Sequence, residues 1–137
     1  GVFKMLGTQS AIFSNIGYQQ RRAIDRNVAT AVASQDRNVV SASLGSTRIF
    51  RDYHRVTASL NRRNLDYQKL LSGADQFIRD DKETTVSVSY QVDGRAITQT
   101  LDGWLFFATA NRVRNDSNMA TYDITNNYLS MGVSFQF

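Results

Sequence analysis

Apolar and polar residues alternate with a period of two along most of this chain, and no proline interrupts the alternation. A two-residue period marks a strand whose two faces meet different surroundings. Proline removes a ladder donor, and at an ordinary usage of ~5% a chain of 137 residues would carry several. The chain is therefore constrained to long, continuously paired strands. Helical periodicity is weak; its best candidate, residues 23–34 (AIDRNVATAVAS), reads as a long loop with at most a helical turn.

Six segments read as strands: residues 7–20, 39–50, 55–67, 83–92, 96–112 and 122–137. Ile12, Ile16 and Tyr18 share a face of the first. Val40, Ala42 and Leu44 oppose Ser41, Ser43, Gly45 and Thr47 in the second, and Val56, Ala58 and Leu60 oppose Thr57, Ser59 and Asn61 in the third. Val86, Val88, Tyr90 and Val92 oppose Thr85, Ser87, Ser89 and Gln91 in the fourth. The fifth is apolar on both faces around Trp104, Phe106 and Phe107, and the last sets Leu129, Met131, Val133, Phe135 and Phe137 against Tyr128, Ser130, Gly132, Ser134 and Gln136. The polar faces carry small neutral residues instead of the Lys and Glu usual on a solvated sheet. The apolar faces run for roughly ten residues, about the length a tilted strand needs to cross a bilayer.

In hydrocarbon every backbone N–H and C=O needs an internal partner, so spanning strands close into a barrel. The connections predict the same architecture. They alternate long (21–38, 68–82, 113–121) and short (51–54, and 93–95 with the hairpin dipeptide Asp93-Gly94). Barrels of the bacterial outer membrane have short periplasmic turns and long outer loops, which puts both chain ends on the short-turn side. The expected fold is all-β, an antiparallel up-and-down transmembrane β-barrel or the C-terminal strands of a larger one, with residues 1–137 as one unit. Six strands fall below the usual minimum of about eight, which favours the C-terminal portion. The opening GVFKML lacks the ordered regions of a signal peptide, and Gly1 is not an initiator, so the sequence reads as a mature chain or as a piece of a longer protein.

Composition closes off most chemistry. There is no cysteine and one histidine, so thiolate sites, a cysteine nucleophile and multi-histidine metal sites are excluded. Asp75, Asp80, Asp81 and Glu83 lack the order of an EF-hand loop and read as solvated loop charge. Asn115, Asp116, Ser117 and Asn118 read as turn formers. His54 falls in an expected short turn beside Tyr53, and no nucleophile elbow accompanies it. No catalytic residue, metal or cofactor is expected. Arginine dominates the net charge of +4. Arg21, Arg22, Arg62, Arg63, Arg112 and Arg114 lie at loop bases, where guanidinium forks suit lipopolysaccharide phosphates or other anions; any turned inward would bias a lumen toward anions. No basic–aromatic nucleic-acid motif is present, and no nucleic-acid partner is expected. Tyr18, Phe50, Tyr53, Tyr67, Tyr122, Phe135 and Phe137 lie near strand ends, where interfacial girdles form.

The stretches RDDKETTVSVSY (79–90), ANRVRNDSNMATYD (110–123) and NNYLSMGVSFQF (126–137) resemble the ends of Gram-negative outer-membrane β-barrel proteins, namely the barrels of surface lipoprotein assembly modifiers and of exopolysaccharide operons. The carriers are Ser117-Asn118, Tyr122-Asp123 and the closing pattern from Gly132 to Phe137. The likeness covers about 60 residues. It implies a bacterial outer-membrane location and a last strand read by the barrel assembly machinery through strand addition, with Tyr128, Gly132, Val133, Phe135 and Phe137 as the signal. The plainer reading makes these residues lipid-facing and girdle positions.

Two functions from different classes follow. One is a non-catalytic outer-membrane barrel acting as channel, exporter or surface-assembly anchor, with outer-membrane lipid, lipopolysaccharide and the assembly machinery as partners and further strands from an upstream segment or other copies. The other is a soluble or secreted β-rich structural subunit that self-assembles through its strand edges. A third, an outer-membrane hydrolase, would make His54 essential.

Overall fold

The computed structural model describes residues 1–21, 37–67 and 79–135. They form one seven-stranded sheet in which every strand pairs with its sequence neighbours. The strands are β1 (Val2–Met5), β2 (Ser10–Arg21), β3 (Arg37–Phe50), β4 (His54–Tyr67), β5 (Asp80–Asp93), β6 (Trp104–Ser117) and β7 (Ile124–Phe135). All pairings are antiparallel, so the architecture is all-β and up-and-down. The sheet is not closed: β1 and β7 form its two edges.

Several expectations are corrected. There are seven strands instead of six, because Val2–Met5 pairs with β2 through the register Val2↔Ser14 to Met5↔Ala11. The intervening turn uses Gly7 at φ 79°, a left-handed conformation open to glycine, so the expected first strand begins at Ser10 and not at residue 7. The expected fifth strand starts eight residues late. The Asp93 side chain accepts from the Arg95 amide and the Thr98 side chain from the Thr100 amide; these caps turn residues 94–96 and 99–101 into short 3-10 helices. The expected two-strand hairpin at Asp93-Gly94 is therefore a folded ten-residue link. On the opposite side β6 runs on to Ser117, which shortens the expected long loop to residues 118–123. The helical candidate at 23–34 lies outside the described residues.

Register fixes the two faces. One face is polar and, through its middle rows, small and neutral. A hydroxyl row crosses it as Thr47, Thr57, Ser89, Thr109 and Ser130, with Thr47 and Thr57 hydroxyls 2.8 Å apart and Thr109 donating to Ser89 at 3.2 Å. The other face is apolar. Residues of the polar face are the less accessible ones along β3 to β6, so that face is the concave, inner one.

Two glycines on the inner face are roofed by the phenylalanines paired with them. Gly45 is opposite Phe13 and Gly132 is opposite Phe107. A β-carbon on Gly132 would meet the Phe107 ring at 2.5 Å, and one on Gly45 would meet the Phe13 ring and also the Ala58 carbonyl oxygen at 2.9 Å. An aromatic ring over a strand glycine restores the packing that glycine lacks. Gly132→Ala is expected to destabilise the sheet by about 1–3 kcal/mol through overpacking, and to cost almost nothing further in a Phe107→Ala background. Gly45→Ala should keep part of its cost when Phe13 is trimmed, because the carbonyl stays in place. Urea midpoints of the two double-mutant cycles, measured in detergent micelles, check this.

Candidate functional site: a two-faced sheet with an oblique apolar band

The outer face is apolar and exposed. Its stretches are residues 12–18 of β2, 40–44 of β3, 56–60 of β4, 86–92 of β5, 104–110 of β6 and 129–135 of β7, interrupted only by Ser14. Ile16 is 81% exposed and Met131 74%. Buried apolar residues are by contrast few among those described: Ala11, Val39, Leu65 and Tyr67. A contiguous apolar surface of this extent marks contact with lipid or with protein.

The band does not follow the hydrogen-bond rows. Traced through the register, its middle moves roughly six residues along the strands between β2 and β7, over about five inter-strand steps. At ~3.3 Å per residue and ~4.8 Å per strand this is a slope of roughly 40°. The slope explains an otherwise misplaced cation. Arg48 shares a row with Val56, Tyr90, Ala108 and Met131, all within the band on their strands. On β3 the band has already ended at Leu44, and Arg48 lies beyond it.

The short-turn end of the outer face is aromatic. The ring of His54 stacks on Phe50 at 5.3 Å and on Tyr90 at 6.0 Å, and its Nδ1 lies 2.6 Å from the Tyr90 hydroxyl. Trp104 packs against Phe135 at 5.1 Å. His54 thus opens β4 on the outer face instead of lying in a turn, and its neighbours there are rings. Below it, Arg95 binds Asp93 and Asp102 and lies 5.5 Å over the Tyr53 ring, which ties the 94–103 link to the β3–β4 turn. Hydrogen bonds to Asp93, then the charges of Asp93 and Asp102, hold the Arg95 guanidinium above its ordinary value.

At the loop end, a network on the inner face overturns two expectations. Asp81, read as solvated, is 2% exposed. It accepts a forked pair from Arg79, one arm at 3.0 Å, and hydrogen-bonds with Ser117 and Asn115. Tyr67, read as a girdle residue, is buried there: Arg79 lies 4.6 Å over its ring and 3.5 Å over that of Tyr122, and Arg37 donates to its hydroxyl at 3.1 Å. Burial works to lower the Arg79 guanidinium, but the Asp81 hydrogen bond and the surrounding Tyr67, Asp81 and Tyr122 together hold it above its ordinary value. Glu83, also read as loop charge, pairs with Arg63.

The six loop-base arginines separate. Arg62, Arg112 and Arg114 lie exposed on the outer face, just above the band. Arg63 and Arg21 lie on the inner face by register, and Arg22 is outside the described residues. The expected signal residues divide as well: Val133 and Phe135 face outward, Tyr128 and Gly132 inward, and Phe137 is outside the described residues. Inward charge is confined to the ends of the described face, with Arg55 and Asp93 at one and Arg21, Arg37, Arg63, Arg79, Asp81 and Glu83 at the other. The rows between are neutral. Sequence reasoning missed the Arg79–Asp81–Tyr67 network and the two Phe–Gly pairs; the alternation of small residues opposite aromatics was the available signal for the latter.

Fold and surface together define an up-and-down antiparallel sheet with a hydroxyl-lined inner face and an apolar outer one. No protein-family model matches the chain, and neither does any curated protein or solved structure. Among the described residues no group of three or more His, Asp and Glu side chains is placed to hold a metal ion, and no helix is long and apolar enough to cross a membrane.

Proposed function

We propose that this chain supplies strands of a transmembrane β-barrel of the bacterial outer membrane, as the C-terminal part of a larger barrel of the kind its last third resembles, and that it serves passage, export or surface anchoring without catalysis. The oblique band is the observation that carries this reading. Strands of outer-membrane barrels tilt by about 35–45° from the membrane normal. A slab of lipid therefore cuts tilted strands along a line inclined to their hydrogen-bond rows by that angle, and the roughly 40° slope agrees with it. A polar concave face and aromatic residues along the short-turn edge support the same reading. The neutral, hydroxyl-lined wall suits a water-filled path.

The open edges at β1 and β7 favour a second reading, a soluble subunit that assembles edge to edge. The two differ in what covers the outer face. A membrane barrel portion requires detergent or vesicles to stay in solution, and the barrel it completes with its further strands shows a boiling-dependent shift on a denaturing gel. A product that is monodisperse or filamentous without detergent would overturn the membrane reading and establish the other.

A further inference from the structure

Two grooves run down the outer face, one on each side of the ridge formed by Val86 and Val88. The first, about 360 Å³, has Ala58 as its floor between Leu44, Leu60 and the valines. The second, about 470 Å³, has Ala110 as its floor between the valines and Leu129, with Arg112 and Asn127 at its upper end. Small residues on a lipid-facing surface otherwise lined by Leu and Val leave room for a chain to lie against the sheet.

Charge is sorted by height above these grooves. The outward position above Leu60 is Arg62, and the one above Ala110 is Arg112; Arg114 follows on β6 and Lys82 stands between on β5. The carboxylates of this face, Asp66, Asp80 and Asp116, each lie one or two outward positions nearer the loops than the cation of their own strand. Arg62, Lys82 and Arg112 have no ion pair among the described residues, and Arg114 shares Asp116 at 2.8 Å. A soluble face mixes its signs to satisfy them. Arg62 and Arg112 border the hydrocarbon side, Lys82 shares a row with Asp116, and Asp66 and Asp80 are set back, an order complementary to a layer of phosphates at the top of acyl chains.

We propose that Arg62, Arg112 and Lys82, with the Ala58 and Ala110 grooves, form one composite site for a phosphorylated, multiply acylated glycolipid, the lipid A moiety of lipopolysaccharide. Two parallel grooves take acyl chains of one molecule. Its two phosphates, at opposite ends of a disaccharide, meet Arg62 and Arg112, which stand two strands apart, roughly 10 Å across the sheet. Guanidinium forks suit phosphate oxygens. A glycerophospholipid with one phosphate engages only one of the two cations. This site rests on the membrane reading above.

The test reconstitutes the barrel that contains these strands, together with the strands that close it, in phosphatidylcholine vesicles and follows the temperature of its boiling shift as bisphosphorylated lipid A, monophosphorylated lipid A or phosphatidylglycerol is titrated in. Bisphosphorylated lipid A should raise that temperature at the lowest concentration. The double variant Arg62→Ala/Arg112→Ala should insert normally but need about tenfold or more lipid for the same rise, the loss expected for charged hydrogen bonds. Ala110→Phe, which fills one groove from the lipid side, should lose the response while retaining insertion, and Arg48→Ala should behave as the parent. Equal responses to all three lipids, or an unchanged response in the double variant, overturn the site while leaving the membrane reading standing. A chain that fails to enter any vesicle overturns both.

Discussion

On the membrane reading, Val88→Arg is expected to abolish membrane insertion of the barrel these strands belong to, whereas Ser87→Arg, one residue away on β5, is expected to be tolerated. Val88 stands near the middle of the band and is 47% exposed; Ser87 faces inward opposite Ser59 and Asn111. An arginine on the lipid face near the bilayer midplane costs about 2–4 kcal/mol, while the same charge on a water-filled inner face meets solvent. The measurement is the fraction of chain carrying a boiling-dependent shift after refolding into vesicles. Equal damage from the two substitutions would mean that the inner face is a packed interface instead of a wetted wall.

Asp81→Ala has the second large effect, at the other end of the same strand. It leaves the Arg79 guanidinium, 17% exposed and wedged between the Tyr67 and Tyr122 rings, with no carboxylate. Removing one member of a buried pair costs about 3 kcal/mol or more, because an uncompensated charge remains. The Ser117 and Asn115 groups lose an acceptor at the same time. Arg79→Met combined with Asp81→Leu should recover most of that loss, since an apolar replacement of the whole pair leaves nothing uncompensated. Urea midpoints in micelles compare the variants; a double variant no better than Asp81→Ala would mean that the carboxylate acts through the Ser117 and Asn115 side chains of β6 instead of through Arg79.

What was legible in the sequence was what local periodicity encodes. The alternation of Val86, Val88 and Tyr90 with Ser87 and Ser89 assigned faces correctly because a strand has only two. β1 was illegible: VFKM is too short to show a period, and its identity comes from pairing with β2. Residues 96–101 misled because their apolar content resembles a strand start, while the side chains of Asp93 and Thr98 divert the backbone into 3-10 turns. Arg79 and Asp81 are adjacent enough to pair in sequence, but their burial depends on Tyr67 and Tyr122 arriving from other strands. The slope of the band was out of reach for a deeper reason. It is a relation between registers, and a single strand carries no record of its neighbours' offsets.

The strand count has a geometric consequence. Seven strands laid up and down leave β1 and β7 running in the same direction. A ring closed by these strands alone would join its ends through a parallel ladder, with slanted bonds along one seam of an otherwise antiparallel wall. It would do so through β1, whose four residues span only the lower part of β2. Antiparallel closure takes an odd number of additional strands, the first of them opposed to β1 and extending past it along β2. Parity, more than any single residue, sets what a complementary edge must look like.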